Sequence, residues 1–173
     1  MEIVTAKVKI RNWQKTDILS LVENANDCNV SLYLRDTFPF PYTQTDGLKW
    51  LTEVTLDNNI THFAISINNH AIGGIGLTLQ DDVYRYTAEL GYWLGINYWG
   101  QGIMTDVVSS FVNFCFQEYS LLRIEAKVFA KNLASKRVLE KCNFGLDAIL
   151  KNNVIKNGQV MDSYLYSLVL NSN

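Results

Sequence analysis

The sequence predicts a mixed α+β fold: a mostly antiparallel central sheet with one parallel strand–helix–strand crossover. Three observations predict it. Strand-forming runs fill positions 62–94, alternating over His62–Ile67 and broken at Asn68-Asn69 and Asp81-Asp82, the pattern of an antiparallel meander. An amphipathic helix over about 103–118 separates the last of those strands from another at 123–129, which suits a parallel crossover. Lys156-Asn157-Gly158 divides two further apolar runs into a closing hairpin.

The elements follow in order. Residues 3–11 alternate Ile3, Val8 and Ile10 against Lys7, Lys9 and Arg11, which predicts one first strand with its charges on the solvent face. Thr16 or Asp17 starts a helix through Ile18, Leu21, Val22 and Ala25. The aromatic stretch from Leu32 to Tyr42 is broken by Pro39 and Pro41, so a loop with a short helical turn is expected. Thr43 or Thr45 caps a helix carrying Leu48, Leu51 and Val54. Strands follow at 62–67, 71–79 and about 84–94. In the helix after them, Met104, Val107, Val108, Phe111 and Cys115 share one face, which aims Met104 at the core. After the strand at 123–129, Asn132 caps a helix ending near Lys141, with Asn143 as its left-handed terminator. Strands at about 144–155 and 160–170 close the fold, with Lys151 and Lys156 in solvent.

With 173 residues, 48% hydrophobic and no Pro/Gly/Ser-rich linker, a single domain over 1–173 is expected. A net charge of −2 gives no support to nucleic-acid binding, which needs a basic surface. Three widely spaced cysteines, Cys28, Cys115 and Cys142, form no C-x-x-C pair, so neither a disulfide framework nor a zinc site is expected. Cys115 and Cys142 fall on apolar helix positions and read as core. His62 and His70 have no metal-ligand spacing, so no metal is expected. No apolar run is long enough to span a bilayer, and a reducing cytoplasmic setting without membrane attachment fits best.

The chemistry concentrates where the long strand ends in Tyr92-Trp93-Leu94-Gly95 and Trp99-Gly100-Gln101-Gly102 opens the next helix. A helix N-terminus carries N–H groups outside the helical ladder and the positive end of the dipole. Glycines let the backbone approach a bulky anion closely. Together these suit a pyrophosphate, although a tight turn without a ligand has the same pattern. No Lys-Ser/Thr follows the loop and no G-x-G-x-x-G occurs, so neither a Walker loop nor a Rossmann fingerprint is present.

One strand later stands Asn132-Leu133-Ala134-Ser135-Lys136-Arg137-Val138-Leu139-Glu140-Lys141-Cys142-Asn143-Phe144. A W-G-x-G loop, a helix, a strand and then this N-x-x-S block resemble the GNAT superfamily of acyl-CoA-dependent N-acetyltransferases. The resemblance is closest to the branch of the ribosomal-protein N-terminal alanine and serine acetyltransferases. Leu34 to Thr43, Gly91 to Leu94 and Asp162-Ser163-Tyr164-x-Tyr166 are similar to that branch too, so nearly the whole chain is covered.

The resemblance implies helices on both sheet faces and a splayed strand pair that holds acetyl-CoA as cosubstrate. It places the pyrophosphate on the backbone around Gly100, Gln101, Gly102, Ile103, Met104 and Thr105, with Trp93 and Leu94 beside the acyl arm. Trp99 stands where the superfamily has a polar residue, and Met104 where it has a small one. Asn132 would hydrogen-bond the pantetheine arm or serve only as a helix cap; one amide has groups enough for both. The tyrosine that often protonates the departing thiolate is replaced by Leu139, so Ser135 is the local hydroxyl for that role, or else a plain helix-start residue. Glu89 shares a strand face with Gly91 and Trp93; it is the candidate general base, or else an ion-pair partner. A backbone N–H near Leu94 would receive the thioester oxyanion. The aromatics between Tyr33 and Tyr42 line the acceptor site or join the core.

The reading is an N-acetyltransferase acting by direct transfer in a ternary complex. Its acceptor would be a primary amine, either a protein N-terminal α-amine or a small molecule, and the chain a monomer or homodimer. The rivals are a non-catalytic acyl-CoA sensor or interaction module on the same fold, and a plain nucleotide-binding module.

Overall fold

The computed structural model describes residues 1–56 and 61–170. The chain divides into two compact units, Met1–Gly76 with Tyr92–Val107, and Leu77–Gly91 with Val108–Asn173. Among the described residues there are eight strands: β1 (Glu2–Val4), β2 (Lys9–Asn12), β3 (His62–Ile67), β4 (His70–Leu79), β5 (Thr87–Leu94), β6 (Arg123–Phe129), β7 (Gly145–Lys156) and β8 (Gln159–Val169). The helices are α1 (Ile18–Ala25), α2 (Cys28–Ser31), α3 (Gln44–Leu56), α4 (Ile103–Glu118) and α5 (Leu133–Lys141).

In the first unit, β1, β2, β3 and β4 pair antiparallel in that order. The expected single strand at 3–11 is instead a hairpin. Its turn is made by Thr5, whose Oγ1 accepts from Lys7 N–H (3.3 Å) and Val8 N–H (3.1 Å), while its N–H donates to the Val8 carbonyl (2.9 Å). A threonine turn carries neither Gly nor Pro, so alternation alone reads straight through it. The charges do not share a solvent face either. Arg11 is 5% exposed and forms a two-pronged ion pair with Asp17, both bonds 2.8 Å, and also donates to the Asn69 carbonyl at 2.9 Å. Lys9 pairs with Glu2 at 3.3 Å.

The β3–β4 hairpin turns at Asn68 and Asn69, both with positive φ, as a two-residue turn demands. α3 begins as expected after Thr43: its Oγ1 accepts from Asp46 N–H at 3.3 Å, and Asp46 Oδ2 accepts from Thr43 N–H at 2.8 Å, a reciprocal cap. The core of this unit joins Trp13, Leu21, Ala25, Tyr42, Leu51, Val54, Ala64 and Ala71.

In the second unit, β5 pairs parallel with β6, and β6 and β7 flank β8 antiparallel. The β5–β6 ladder ends at Glu89↔Glu125, although β5 runs on to Leu94 and β6 to Phe129. α4 spans the predicted residues. Ile103, Val107, Val108, Phe111 and Cys115 are buried along it, whereas Met104 is only half-buried. Ile103 therefore takes the core slot expected of Met104. Burial pushes the Cys115 thiol far above its ordinary range, as befits a packing residue. Just beyond α5, Asn143 turns the chain with φ 64°, and the Phe144 N–H returns to the Leu139 carbonyl at 3.0 Å. Lys156, expected in solvent, is 7% exposed; Lys151 is ion-paired to Asp162 at 2.9 Å.

Candidate active site

The predicted site residues fall in both units, and each set is built locally. In the first unit, β5 ends at Leu94. A short 3₁₀ turn over Ile96–Tyr98, not foreseen from the sequence, carries the chain into the loop. The indole Nε1 of Trp99 reaches back and donates to the Leu94 carbonyl at 2.7 Å. The Gly95 N–H donates to the Ile72 carbonyl at 2.8 Å. The strand end that carries Leu94 is thus fixed from both sides, and Trp99 does this with the side chain that replaces the superfamily's polar residue.

Gly100 and Gly102 have φ of 72° and 75°, backbone that side chains other than glycine disfavour. The Gln101 side chain donates to the Asn97 carbonyl at 3.0 Å. The ladder of α4 begins where Asp106 N–H meets the Gly102 carbonyl at 3.3 Å, so the N–H groups of Ile103, Met104 and Thr105 precede it. Sequence reasoning missed one residue here. The Nζ of Lys7, from the β1–β2 turn, donates to the Gln101 carbonyl at 2.6 Å and stands 3.9 Å from the Asp106 carboxylate.

Trp93 packs edge-on against Phe38 with ring centroids 5.3 Å apart, and Phe38 lies 4.9 Å from Tyr42. Tyr42 is 5% exposed and belongs to the core, and burial pushes its phenol up to about 12, aided by Asp46 and Glu53. The aromatic segment therefore divides: Tyr42 is packing, while Phe38 is partly buried and Phe40 is exposed.

In the second unit, Glu89 is half-buried and accepts from Lys127 Nζ at 2.9 Å. Lys127 was not singled out from the sequence. The signal lay in the register: Glu89 opposes Glu125, so Lys127, two residues further on, points from the same face. Arg123 Nε, bonded to Glu125 at 2.7 Å, supplies the second counter-charge. Asn132 caps α5, its Oδ1 accepting from Ser135 N–H at 3.1 Å, so these two predicted residues are joined through the cap. Its amide nitrogen is not used by that bond.

The terminal motif serves the second unit's own structure. Asp162 accepts from Lys151 and from Asn152 N–H, both at 2.9 Å, and those bonds hold its carboxyl below the ordinary range. The Lys136 ammonium lies 4.1 Å from the Tyr164 ring centroid, and the Tyr166 hydroxyl donates to Glu140 at 3.0 Å. Burial, with that bond second, pushes the Tyr166 phenol up to about 12. Among the described residues no group of His, Cys, Asp and Glu could hold a metal ion. No described helix is long and apolar enough to cross a membrane.

Residues 7–145 match the acetyltransferase (GNAT) domain family, and the chain belongs to that family as an acetyl-transferring enzyme. It is similar to an uncharacterized N-acetyltransferase of Bacillus licheniformis, 27% identical over 173 residues, which cover 96% of this chain and 95% of the relative. It is 31% identical to the ribosomal-protein-serine acetyltransferase of Escherichia coli over 110 residues, 64% of this chain and 61% of that one. Among solved structures, the microcin C7 self-immunity acetyltransferase in complex with acetyl-CoA and AMP superposes with a TM-score of 0.82. That likeness covers 96% of this chain and 94% of the other at 23% identity, which shows the shared fold.

Proposed function

We propose that this enzyme transfers the acetyl group of acetyl-CoA directly to a primary amine, with a protein N-terminal α-amine as the leading acceptor. The observation that carries the proposal is the Gly100–Gly102 loop. Its two positive-φ glycines bring the chain into α4 with the first-turn amides ahead of the helical ladder. That arrangement suits a diphosphate, the group that acetyl-CoA carries and an amine acceptor does not. The α-amine reading is supported by the likeness to a ribosomal-protein-serine acetyltransferase.

The reaction needs little beyond positioning. The neutral amine attacks the thioester carbonyl, the C–S bond breaks, the thiolate takes up a proton, and the amine nitrogen loses one. An α-amine has a pKa near 7.7–8.0, so freeing it at pH 7 costs only about 1–1.4 kcal/mol, against about 4.6 kcal/mol for a lysine side chain. Orientation in a ternary complex supplies roughly 7–11 kcal/mol. In this reading Gly100 to Thr105 receive the pyrophosphate. The Asn132 amide nitrogen, left over by the helix cap, meets the pantetheine arm. The Leu94 N–H, on a strand end braced by Trp99, meets the oxyanion. Glu89 receives the amine's proton through water, and Ser135 relays a solvent proton to the thiolate, giving up its own hydroxyl proton as it takes another.

Thiol release from acetyl-CoA tests the proposal with three acceptors: a peptide with a free N-terminus, the same peptide blocked there but carrying a lysine, and a small polyamine. Turnover with the first and weak activity with the second is expected. Saturable coenzyme A binding without thiol release from any amine would favour the sensor instead. Equal thermal stabilisation by ATP and acetyl-CoA would favour a plain nucleotide-binding module.

A further inference from the structure

We infer that Lys7 is a positioning residue of the cofactor loop: from the β1–β2 turn it holds the Gln101 carbonyl and offsets the Asp106 carboxylate, so that the loop receives a diphosphate. The inference rests on the acetyl-CoA reading above and extends it to a residue outside the loop.

The contacts of Lys7, and not the helix end itself, carry the argument. Gly100-Gln101-Gly102 turns through two left-handed positions, and between them the Gln101 carbonyl accepts from Lys7 Nζ at 2.6 Å. The same ammonium is 3.9 Å from Asp106 Oδ2, in the first turn of α4. A Cβ built on Gly102 would stand only 3.2 Å from it. The ammonium therefore lies directly over the loop.

Two features of the loop work against an anion. A peptide carbonyl is a partial negative charge, and Asp106 is a full one. An aspartate in the first turn suits an empty helix, because it complements the positive dipole end. The same aspartate repels a diphosphate brought to that end. Lys7 addresses both: it occupies the carbonyl and sits beside the carboxylate. An ammonium has three N–H groups, so the bond to Gln101 leaves it able to face a phosphate oxygen as well. Lys7 is held in place by the Thr5 turn, whose Oγ1 accepts from its own backbone N–H at 3.3 Å. The side chain is about half-exposed, 47%, so its removal leaves no cavity in the core.

The test uses the full chain with coenzyme A as the probe. Wild type, K7M, K7R, D106N and the K7M/D106N double variant are compared by calorimetric titration at low and high salt, and by steady-state acetyl transfer. K7M should weaken coenzyme A binding about five- to tenfold at low salt and less at high salt, as an exposed charge does. The KM for acetyl-CoA should rise in parallel, with kcat at saturation changed less than about twofold, the pattern of lost binding without lost chemistry. K7R should restore most of the affinity, and K7M/D106N should bind more tightly than K7M. A merely structural lysine would lower the melting temperature and leave the salt dependence unchanged. If wild type binds coenzyme A and K7M binds it equally well at both salt concentrations, the role of Lys7 is overturned and the cofactor reading stands. If wild type does not bind coenzyme A, both fall.

Discussion

Replacing Gly73 by alanine tests how the strand end proposed to carry the acyl chemistry is held. A Cβ at Gly73 would lie 2.5 Å from the Trp93 carbonyl oxygen, 3.0 Å from Leu94 Cδ1 and 3.1 Å from Leu94 Cα. Carbon–oxygen contacts between neighbouring strands normally begin near about 3.3 Å, so roughly 0.8 Å must open between β4 and β5. Two of the three obstructing atoms are backbone and cannot rotate aside. Overpacking of this kind costs about 1–3 kcal/mol. The smaller unfolded-state entropy of alanine returns about 0.4–1 kcal/mol, which leaves a net loss of about 1–2 kcal/mol. Gly91 is the control: it lies on the same strand as Trp93, and a Cβ there meets nothing within 4 Å. G91A should therefore be neutral or more stable, by up to about 1 kcal/mol. Urea denaturation of both variants reads the stabilities, and thiol release reads the chemistry. Under the proposed function G73A should slow acetyl transfer about tenfold or more, because displacing the groups that position the thioester by this distance is costly, while G91A stays within about twofold. Equal stability and activity of the two variants would refute the claim that the β4–β5 approach sets the position of Trp93 and Leu94.

Asn132→Ala should cost about 1 kcal/mol of stability through the lost α5 cap and also weaken coenzyme A binding; Asn132→Ser should keep the cap while still weakening binding, which thermal melts and calorimetric titration separate. Arg11→Met strands the buried Asp17 carboxylate and should cost about 3–5 kcal/mol in urea denaturation, with much of the loss recovered in R11M/D17L. Asp46 has its carboxyl held below the ordinary 3.8, first by its bond to the Thr43 hydroxyl. A lowered folded-state value means that its contribution is present above 3.8 and is lost as the pH falls through the folded value. Thermal melts in acid should therefore show a smaller pH dependence for D46N than for wild type.

What was legible in the sequence was what the backbone encodes locally. Helix α4 follows from a stripe of apolar residues at helical spacing. The turns at Asn68-Asn69 and Asn157-Gly158 follow from residues that tolerate positive φ. The Gly100–Gly102 loop belongs to the same class, because a glycine needed at positive φ is visible as a glycine. The first hairpin was not legible, since Thr5 makes its turn with a side-chain oxygen and leaves the alternation of Ile3, Val8 and Ile10 looking unbroken. Nor was the slot taken by Ile103, because a stripe drawn on an ideal helix tolerates a shift of one residue at its first turn.

The charged residues show a deeper limit. Lys7, Lys9 and Arg11 look equivalent in sequence, yet one braces a loop, one makes a half-exposed surface pair and one is buried in a two-pronged ion pair. What separates them is which element arrives opposite each, and that is set by pairing register over long stretches of chain. Glu89 makes the same point for the chemistry. Its identity suggested a base, but the parallel register that places Lys127 on its face gives it a standing counter-charge at 2.9 Å. Under the proposed function, the proton leaving the amine arrives beside an existing ion pair, and Lys127 competes for the same carboxylate. This is tolerable for an α-amine, whose deprotonation at pH 7 costs only about 1–1.4 kcal/mol. It would be a heavier handicap for a lysine side chain, which needs about 4.6 kcal/mol. Under the proposed function, the Glu89–Lys127 pair therefore favours an acceptor of low intrinsic pKa.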